Sequence, residues 1–279
     1  MPDWIVHIAF ALLLAVVLKI KNWKLLIAGA ILPDISRLIL IIFNFLGFDE
    51  IQTYLFLEPM HTPFINLLMS ISLALFFNGF FINLLIIYLG VISHYLLDLL
   101  QFAGAFGHMI FYPISFKEYS VNLVYSGKII FPIIGVIVLL ISLYYLKEKN
   151  NLTLNKKYYL SVIPLLITFL FMFLTQEDLL KANIHSVNFI SFPEDYENQE
   201  INLHNSKITS LNPVKLDEMG KVFTLETSEN LELNSLVSVH GIYKNKIIVV
   251  DEIFFHNLNK HIFSLIGLFI FIYLVFRKD

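Results

Sequence analysis

The sequence predicts a polytopic α-helical membrane protein with about seven transmembrane helices and a small extracytoplasmic β domain inserted before the last of them. Three observations carry that expectation. First, the 279 residues are 57% hydrophobic and 15% charged, with 27 phenylalanines and a mean hydropathy of +0.74, where average soluble domains are about 45–50% apolar and about 25% charged. Second, seven apolar runs follow one another along the chain. Third, residues 175–260 change to an alternating apolar and polar pattern.

A transmembrane helix needs roughly 17–25 apolar residues to cross a ~30 Å hydrocarbon core. Trp4–Ile20 is the first candidate, and its basic residues follow it, so it reads as a retained helix and not as a cleaved leader. Leu25–Leu46 comes after the basic turn Lys19-Ile-Lys21-Asn-Trp-Lys24. Phe64–Phe77 is short and is separated by Asn78-Gly79 from Phe81–Phe102. Ile129–Leu146, Tyr158–Leu174 and His261–Phe276 complete the set. Lysine and arginine in short loops favour the cytoplasmic side. With seven spans and the N-terminus outside, three basic groups share that side: Lys19, Lys21 and Lys24; Lys147, Lys149, Lys156 and Lys157; Arg277 and Lys278. The expected location is the plasma or inner membrane, in contact with the bilayer. Residues 47–63, 101–128 and 175–260 would lie outside. The division is then 1–128 as a helical metal-site domain, 129–174 as two further spans, 175–260 as the β domain and 261–279 as the last span.

In the 175–260 segment, Lys221–Glu226, Leu236–His240 and Lys246–His256 alternate as strands do, with Gly241-Ile-Tyr-Lys-Asn245 read as a turn. The Val-x-Val-x-Gly-x-Tyr-x-Asn-x-x-Ile-x-Val rhythm resembles the closing strands of an OB-like barrel. A plain spacer domain fits the pattern equally well. Seven lysines against thirteen acids give this segment a net charge of −6, and the rest of the chain carries +3. No clustered basic face of the kind nucleic acid requires is present, so that partner class is excluded. The absence of cysteine excludes disulfides, thiolate metal sites and cysteine nucleophiles.

Ionisable groups within apolar segments are expensive and usually functional. His7, Asp34, His94 and Asp98 are such groups, with His61 in the loop at the mouth of the third span, and the spacing of His94 and Asp98 places them on one helix face, one turn apart. Imidazole and carboxylate without thiolate suit zinc, manganese or iron, with no choice among them. The plainer alternatives are an interfacial His7, an Asp34–Arg37 pair one turn apart, and a simple His94–Asp98 hydrogen bond. Arg37 is the main cation nearby, placed to meet a substrate phosphate or Asp34. His108 and Glu58 are further candidates, expected outside and solvated. His185, His204, His240 and His256 show no paired spacing, and His261 opens the last span.

These motifs, in this order, resemble the membrane-bound metal-dependent hydrolases, inner-membrane proteins sometimes labelled LexA-binding. That family carries an early helical His, a Pro-Asp-x-Asp element, a Thr-His-Ser element, and Ser-His-x-x-x-Asp followed by a Gly-rich stretch and an aromatic-Pro. The corresponding residues are His7, Pro33-Asp34-Ile-Ser36, Met60-His61-Thr62, and Ser93-His94-x-x-x-Asp98 leading through Gly104 to Phe111-Tyr112-Pro113. Ser36 stands where the family has its second Asp, and Glu58-Pro59-Met60 stands where it has an Arg. The family is in turn similar to zinc-dependent phospholipase C and related nucleases. The resemblance implies a divalent metal, zinc foremost, and hydrolysis of a phosphoester, with one carboxylate as an alternative general base. A site at the bilayer boundary points to a lipid or lipid-linked substrate. Two other readings fit the residues: a scaffold whose acidic β domain binds a protein partner, and a transporter using Asp34 and Asp98 as relay groups.

Overall fold

The computed structural model describes residues 4–102, 107–125, 130–146, 152–256 and 259–276, and in 257–261 no side chain. Each apolar run is helical. The helices are α1 (Trp4–Val17), α2 (Trp23–Ile31), α3 (Ile35–Phe45), α4 (Glu50–Leu57), α5 (Pro63–Leu75), α6 (Phe80–Leu99), α7 (Ile130–Tyr145), α8 (Val162–Leu174), α9 (Gln176–Lys181), α10 (Val187–Ser191) and α11 (Asn259–Phe276). Their number and length correct the seven-span expectation. Among the described residues, two helical stretches, Trp23–Phe45 and Phe80–Leu99, are long and apolar enough to cross a membrane. The other five apolar helices have 10–17 residues. Hydropathy counts apolar side chains and does not see where a helix stops, and protein packing consumes the same residues as lipid would. Trp4, Ile8, Leu12, Leu26 and Ile27 are buried in one core with Leu139 of α7 and Leu274 of α11. The inside and outside assignment built on seven spans loses that basis. Lys147, Lys149, Arg277 and Lys278 lie outside the described residues.

Further short helices lie outside the apolar runs. The loop after Leu46 contains α4, capped by Asp49, whose Oδ1 accepts the Gln52 amide at 2.8 Å. Residues 176–191, assigned to the β domain, form α9 and α10.

The helices that position the site are α2, α5 and α6. Asn22 Nδ2 donates to Asn83 Oδ1 at 3.0 Å, and His94 Nδ1 meets the Ala30 carbonyl at 2.8 Å, so α2 and α6 run side by side in the same direction. Glycine permits the close approach. A Cβ on Gly29 would sit 2.0 Å from the Ile87 carbonyl oxygen, and one on Gly90 would sit 2.2 Å from that of Leu26. The asparagine chain continues from Asn83 to the Asn78 carbonyl, and from Asn78 to Thr153 and Leu154. It gathers the Lys19–Lys24 turn and the Lys156–Lys157 loop at the start of α6, while His94 and Asp98 lie at its other end.

Strands β1 (Gln101–Phe102) and β2 (Val124–Tyr125) pair in parallel across the loop that follows α6. The remaining strands, β3 (Glu200–Leu211), β4 (Val214–Glu218), β5 (Lys221–Glu226), β6 (Leu236–Lys244) and β7 (Ile247–His256), form a closed barrel in the order β3-β4-β5-β7-β6. The β5–β7 pair is parallel, and every other pair is antiparallel. Closure leaves no edge for another chain to pair with. Phe189 of α10 plugs the interior, stacked on Phe223 at 5.1 Å and edge-on to Tyr243 at 5.2 Å. Gly241 belongs to β6, beside a bulge, and not to a turn. A Cβ there would meet the Val249 carbonyl oxygen at 2.2 Å. The turn is Asn245-Lys246, both at positive φ, the backbone that a tight hairpin needs.

Candidate metal centre

The chain assembles the centre from four places. His7 lies on α1. Asp34 closes a 3-10 turn, Leu32–Asp34, that interrupts the helix at Pro33 and swings the carboxylate inward. His61 ends another such turn, Glu58–His61, just before α5. His94 and Asp98 occupy successive turns of α6. All five are buried. Thr62 caps α5, its Oγ1 accepting from the Ile65 amide and donating to the Pro59 carbonyl at 2.7 Å. Asn66 Nδ2 donates to the Met60 carbonyl at 2.6 Å and the Thr62 carbonyl at 2.9 Å, clamping the backbone on both sides of His61.

Asp98 is the hub. Its Oδ2 lies 3.1 Å from both His61 Nε2 and His94 Nε2, and its Oδ1 lies 3.4 Å from His7 Nε2. Asp34 Oδ1 is 3.8 Å from His61 Nδ1. The His7 and His94 rings stack with centroids 3.8 Å apart. The structure therefore brings together all five residues singled out in the sequence, and it adds a sixth. His108 Nε2 approaches Asp98 Oδ2 at 3.9 Å, and its ring stacks on His61 at 5.2 Å. His108 is not a solvated outside residue. Burial depresses its imidazole to about 3, against the pull of Asp98. The loop gave no periodic signal for it. Its placement depends on backbone pairing in both directions with Tyr119. Gly104, from the same stretch, lies outside the described residues.

Ser36, at the departing position, turns its hydroxyl back to the Pro33 carbonyl at 3.1 Å and adds no donor to the cluster. Arg37 does not make the anticipated ion pair with Asp34. Its Nη2 is 3.9 Å from Glu58 Oε2, and its guanidinium lies over the Tyr54 ring. Glu58 is accordingly buried and not solvated, and the His185 imidazole lies 3.3 Å from it. In the barrel, His204 Nδ1 and His256 Nε2 share Ser238 Oγ at 2.8 and 2.7 Å, although their spacing in the sequence shows no pairing. His240 lies 4.0 Å from Asp251, and the His261 side chain lies outside the described residues.

A metal ion suits this donor set. His7 Nδ1 and Nε2, Asp34 Oδ1, His61 Nδ1, His94 Nε2 and Asp98 Oδ1 are buried and make no hydrogen bond, a costly arrangement for polar atoms without a further partner. Three donor triplets, His7–His94–Asp98, Asp34–His61–His94 and His61–Asp98–His108, each have ligand atoms within 4.8 Å of one another. Because a carbonyl only accepts, the Ala30 contact places the His94 proton on Nδ1 and leaves Nε2 as a donor to metal, the usual way a ligating His is oriented.

The fold and centre define a helical protein with a buried His/Asp metal site. The family described as zinc dependent phospholipase C matches residues 4–161, which is more than half of the chain and holds all six cluster residues, and the chain belongs to that family. It was the more distant of the two resemblances read from the motifs. Comparison with curated proteins and with solved structures gives no match. Family and donor set together assign a divalent metal cofactor, zinc foremost, and make the chain a metal-dependent hydrolase.

Proposed function

We propose that this protein hydrolyses a phosphoester of a lipid or lipid-linked molecule at a cell membrane. One observation carries the reading: six metal-donor side chains converge at the end of a helical body whose outward faces are apolar. Ile41, Ile42 and Phe45 of α3, Ile137 and Leu140 of α7, and Phe169 and Phe173 of α8 are all exposed. Trp23–Phe45 and Phe80–Leu99 would hold the protein in the bilayer. The lysine-bearing loops at the start of α6 would face the cytoplasm, and the metal centre and barrel would face the other side.

His7, Asp34, His61, His94 and Asp98 would hold the metal, with His108 at its edge. When bound, zinc supplies positive charge for a phosphoryl oxygen and makes an attached water acidic at neutral pH. The protein contributes orientation and exclusion of water. Ala30 fixes the His94 tautomer, Asn66 holds the His61 turn, and stacking on His94 fixes the His7 ring. Among the described cluster residues, His108 has the solvent-accessible side chain, at 19%, so substrate would approach past it.

The test is headgroup release from a phospholipid panel by the purified full chain, beside metal content measured by mass spectrometry. Near-stoichiometric zinc and release that disappears on chelation and in a His94→Ala, Asp98→Ala variant are expected. Inertness toward the whole panel by zinc-loaded protein would sink the lipid reading. Absence of metal after reconstitution would sink the hydrolase chemistry itself.

A further inference from the structure

His185 lies beyond the residues that match the family, in the segment between α9 and α10, yet it reaches the wall of the metal centre. Its Nε2 stands 3.3 Å from Glu58 Oε1 and 3.3 Å from Glu118 Oε1. Each carboxylate belongs to a short element that presents a cluster histidine. Glu58 opens the 3-10 turn that ends at His61. Glu118 precedes Tyr119, whose amide donates to the His108 carbonyl at 3.0 Å and whose carbonyl accepts from the His108 amide at 2.8 Å. The two elements touch at their other ends through the stacked His61 and His108 rings. A closed ring of contacts results, running from His185 through Glu58, His61, His108 and Tyr119 to Glu118 and back.

The local backbone is strained to allow this. Asn183, His185 and Ser186 have φ of 52°, 48° and 61°, a left-handed conformation uncommon for residues other than glycine. Strain of this kind persists only where surrounding structure imposes it, and it gathers at functional sites. Further contacts hold the loop. Asn183 Oδ1 accepts from the Phe189 amide at 3.0 Å, and Ser186 Oγ donates to the Asn202 carbonyl of β3. His185 is thus presented by a segment anchored in the barrel.

We infer that His185 is a positioning residue of the metal centre, a clamp supplied from outside the family region that fixes the spacing between His61 and His108. The inference rests on the metal reading above. Electrostatics agree with the geometry. Burial opposes the His185 charge, but Glu118 and Glu58 outweigh it and raise the imidazole above its ordinary range. Burial likewise raises Glu58, yet His185, with Arg37, holds its carboxyl well below the usual range. Placed 3.3 Å from each carboxyl and drawn toward its protonated form, the imidazole holds the two elements together. A neutral side chain of similar size lacks that pull.

The experiment measures zinc affinity of the full chain by chelator competition, together with the visible absorption of the cobalt(II)-substituted protein. The variants are His185→Gln, His185→Lys and, as control, the partly exposed barrel residue His240→Gln. His185→Gln should weaken zinc binding about tenfold, within the range found for outer partners of metal ligands, and should shift the cobalt spectrum. His185→Lys, which keeps the cation, should recover part of the loss, and His240→Gln should change neither readout. A folded His185→Gln variant with unchanged affinity and spectrum would overturn the inference. If His185→Gln does not fold, Glu118→Gln is measured the same way: weaker binding supports the clamp, and unchanged binding overturns it. Zinc bound equally by wild type and variant defeats the clamp alone, whereas no zinc bound by wild type defeats the metal reading beneath it.

Discussion

His94 donates from Nδ1 to the Ala30 carbonyl across 2.8 Å, and this single bond ties the chemistry of α6 to the packing of α2. The two helices can approach that closely because Gly29 and Gly90 lack side chains. Gly90→Ala would place a methyl 2.2 Å from the Leu26 carbonyl oxygen and 2.8 Å from the Ala30 nitrogen. These are backbone atoms that cannot swing aside, so the helices must part. We expect a loss of about 3 kcal/mol, the upper part of the usual overpacking range, and weaker zinc binding because the His94 tautomer loses its anchor. Denaturant unfolding of the metal-free protein and a zinc titration check both halves. Lost stability at wild-type affinity would separate the packing from the site, and wild-type values of both would overturn the close-approach argument.

Asn66 is the second control point. Asn66→Ala removes the donor to the Met60 carbonyl, one residue before His61, in a buried turn. An unsatisfied buried group costs about 1–3 kcal/mol, and the freed turn should also loosen His61. The expected signature is a lower unfolding midpoint with a fall in zinc affinity. A lower midpoint at wild-type affinity would show that the clamp serves stability alone.

Metal removal should destabilise the fold measurably. A ligand that binds only the native state, held at a thousandfold excess over its Kd, adds about 4 kcal/mol. Chelation should therefore lower the melting temperature of the wild type. It should leave the His94→Ala, Asp98→Ala variant unmoved. Equal response of both proteins to chelator would place the bound metal elsewhere.

The barrel supplies a pH dependence that can be read separately from the metal. Glu218 is buried and accepts a hydrogen bond from Ser206 Oγ. Burial pushes its carboxyl up from 4.5 to about 7, with Ser206 opposing and Glu50 adding to the rise. The folded state therefore holds a proton that the unfolded chain releases near 4.5. Stability is undiminished below that value, falls as pH rises through the interval, and levels off above about 7, a total loss of about 3 kcal/mol. Glu218→Gln should flatten this slope in unfolding free energies measured between about pH 5 and pH 8, and a slope unchanged by the substitution would assign the dependence to another group.

The centre was legible where polarity clashed with surroundings. His7, Asp34, His94 and Asp98 stand in apolar runs where a charge has no cheap partner, and four-residue spacing joined the last two. His108 was legible only as a further candidate expected in solvent, because its loop has no periodicity and the pairing with Tyr119 is what brings it in. The spacing from Asp34 to Arg37 suggested an ion pair, but the turn at Pro33 aims the carboxylate at His61 and leaves Arg37 to Glu58. The count of spans failed for a related reason. The helices at Trp4–Val17, Pro63–Leu75 and Ile130–Tyr145 stop after 14, 13 and 16 residues, short of a bilayer crossing, and the apolar run does not mark where the helix ends. In the barrel, β5, β6 and β7 declared themselves through Val and Ile alternation. Strand β3 did not, because Asn205 follows His204 with no apolar residue between them, a bulge lies between Leu203 and Ser206, and the polar Ser206 takes a buried position.

His61 stands just before the first turn of α5, and Asp98 lies in the last turn of α6, 3.1 Å away. The amide end of one helix and the carbonyl end of the other thus flank the same small volume. Aligned peptide dipoles leave roughly half a positive charge at the first kind of end and roughly half a negative charge at the second. The backbone alone therefore favours a cation at the α6 end and an anion at the α5 end, the reverse of the charges that Asp98 and His61 bring there. A bound cation beside Asp98 would thus be drawn by the carboxylate and the helix end together.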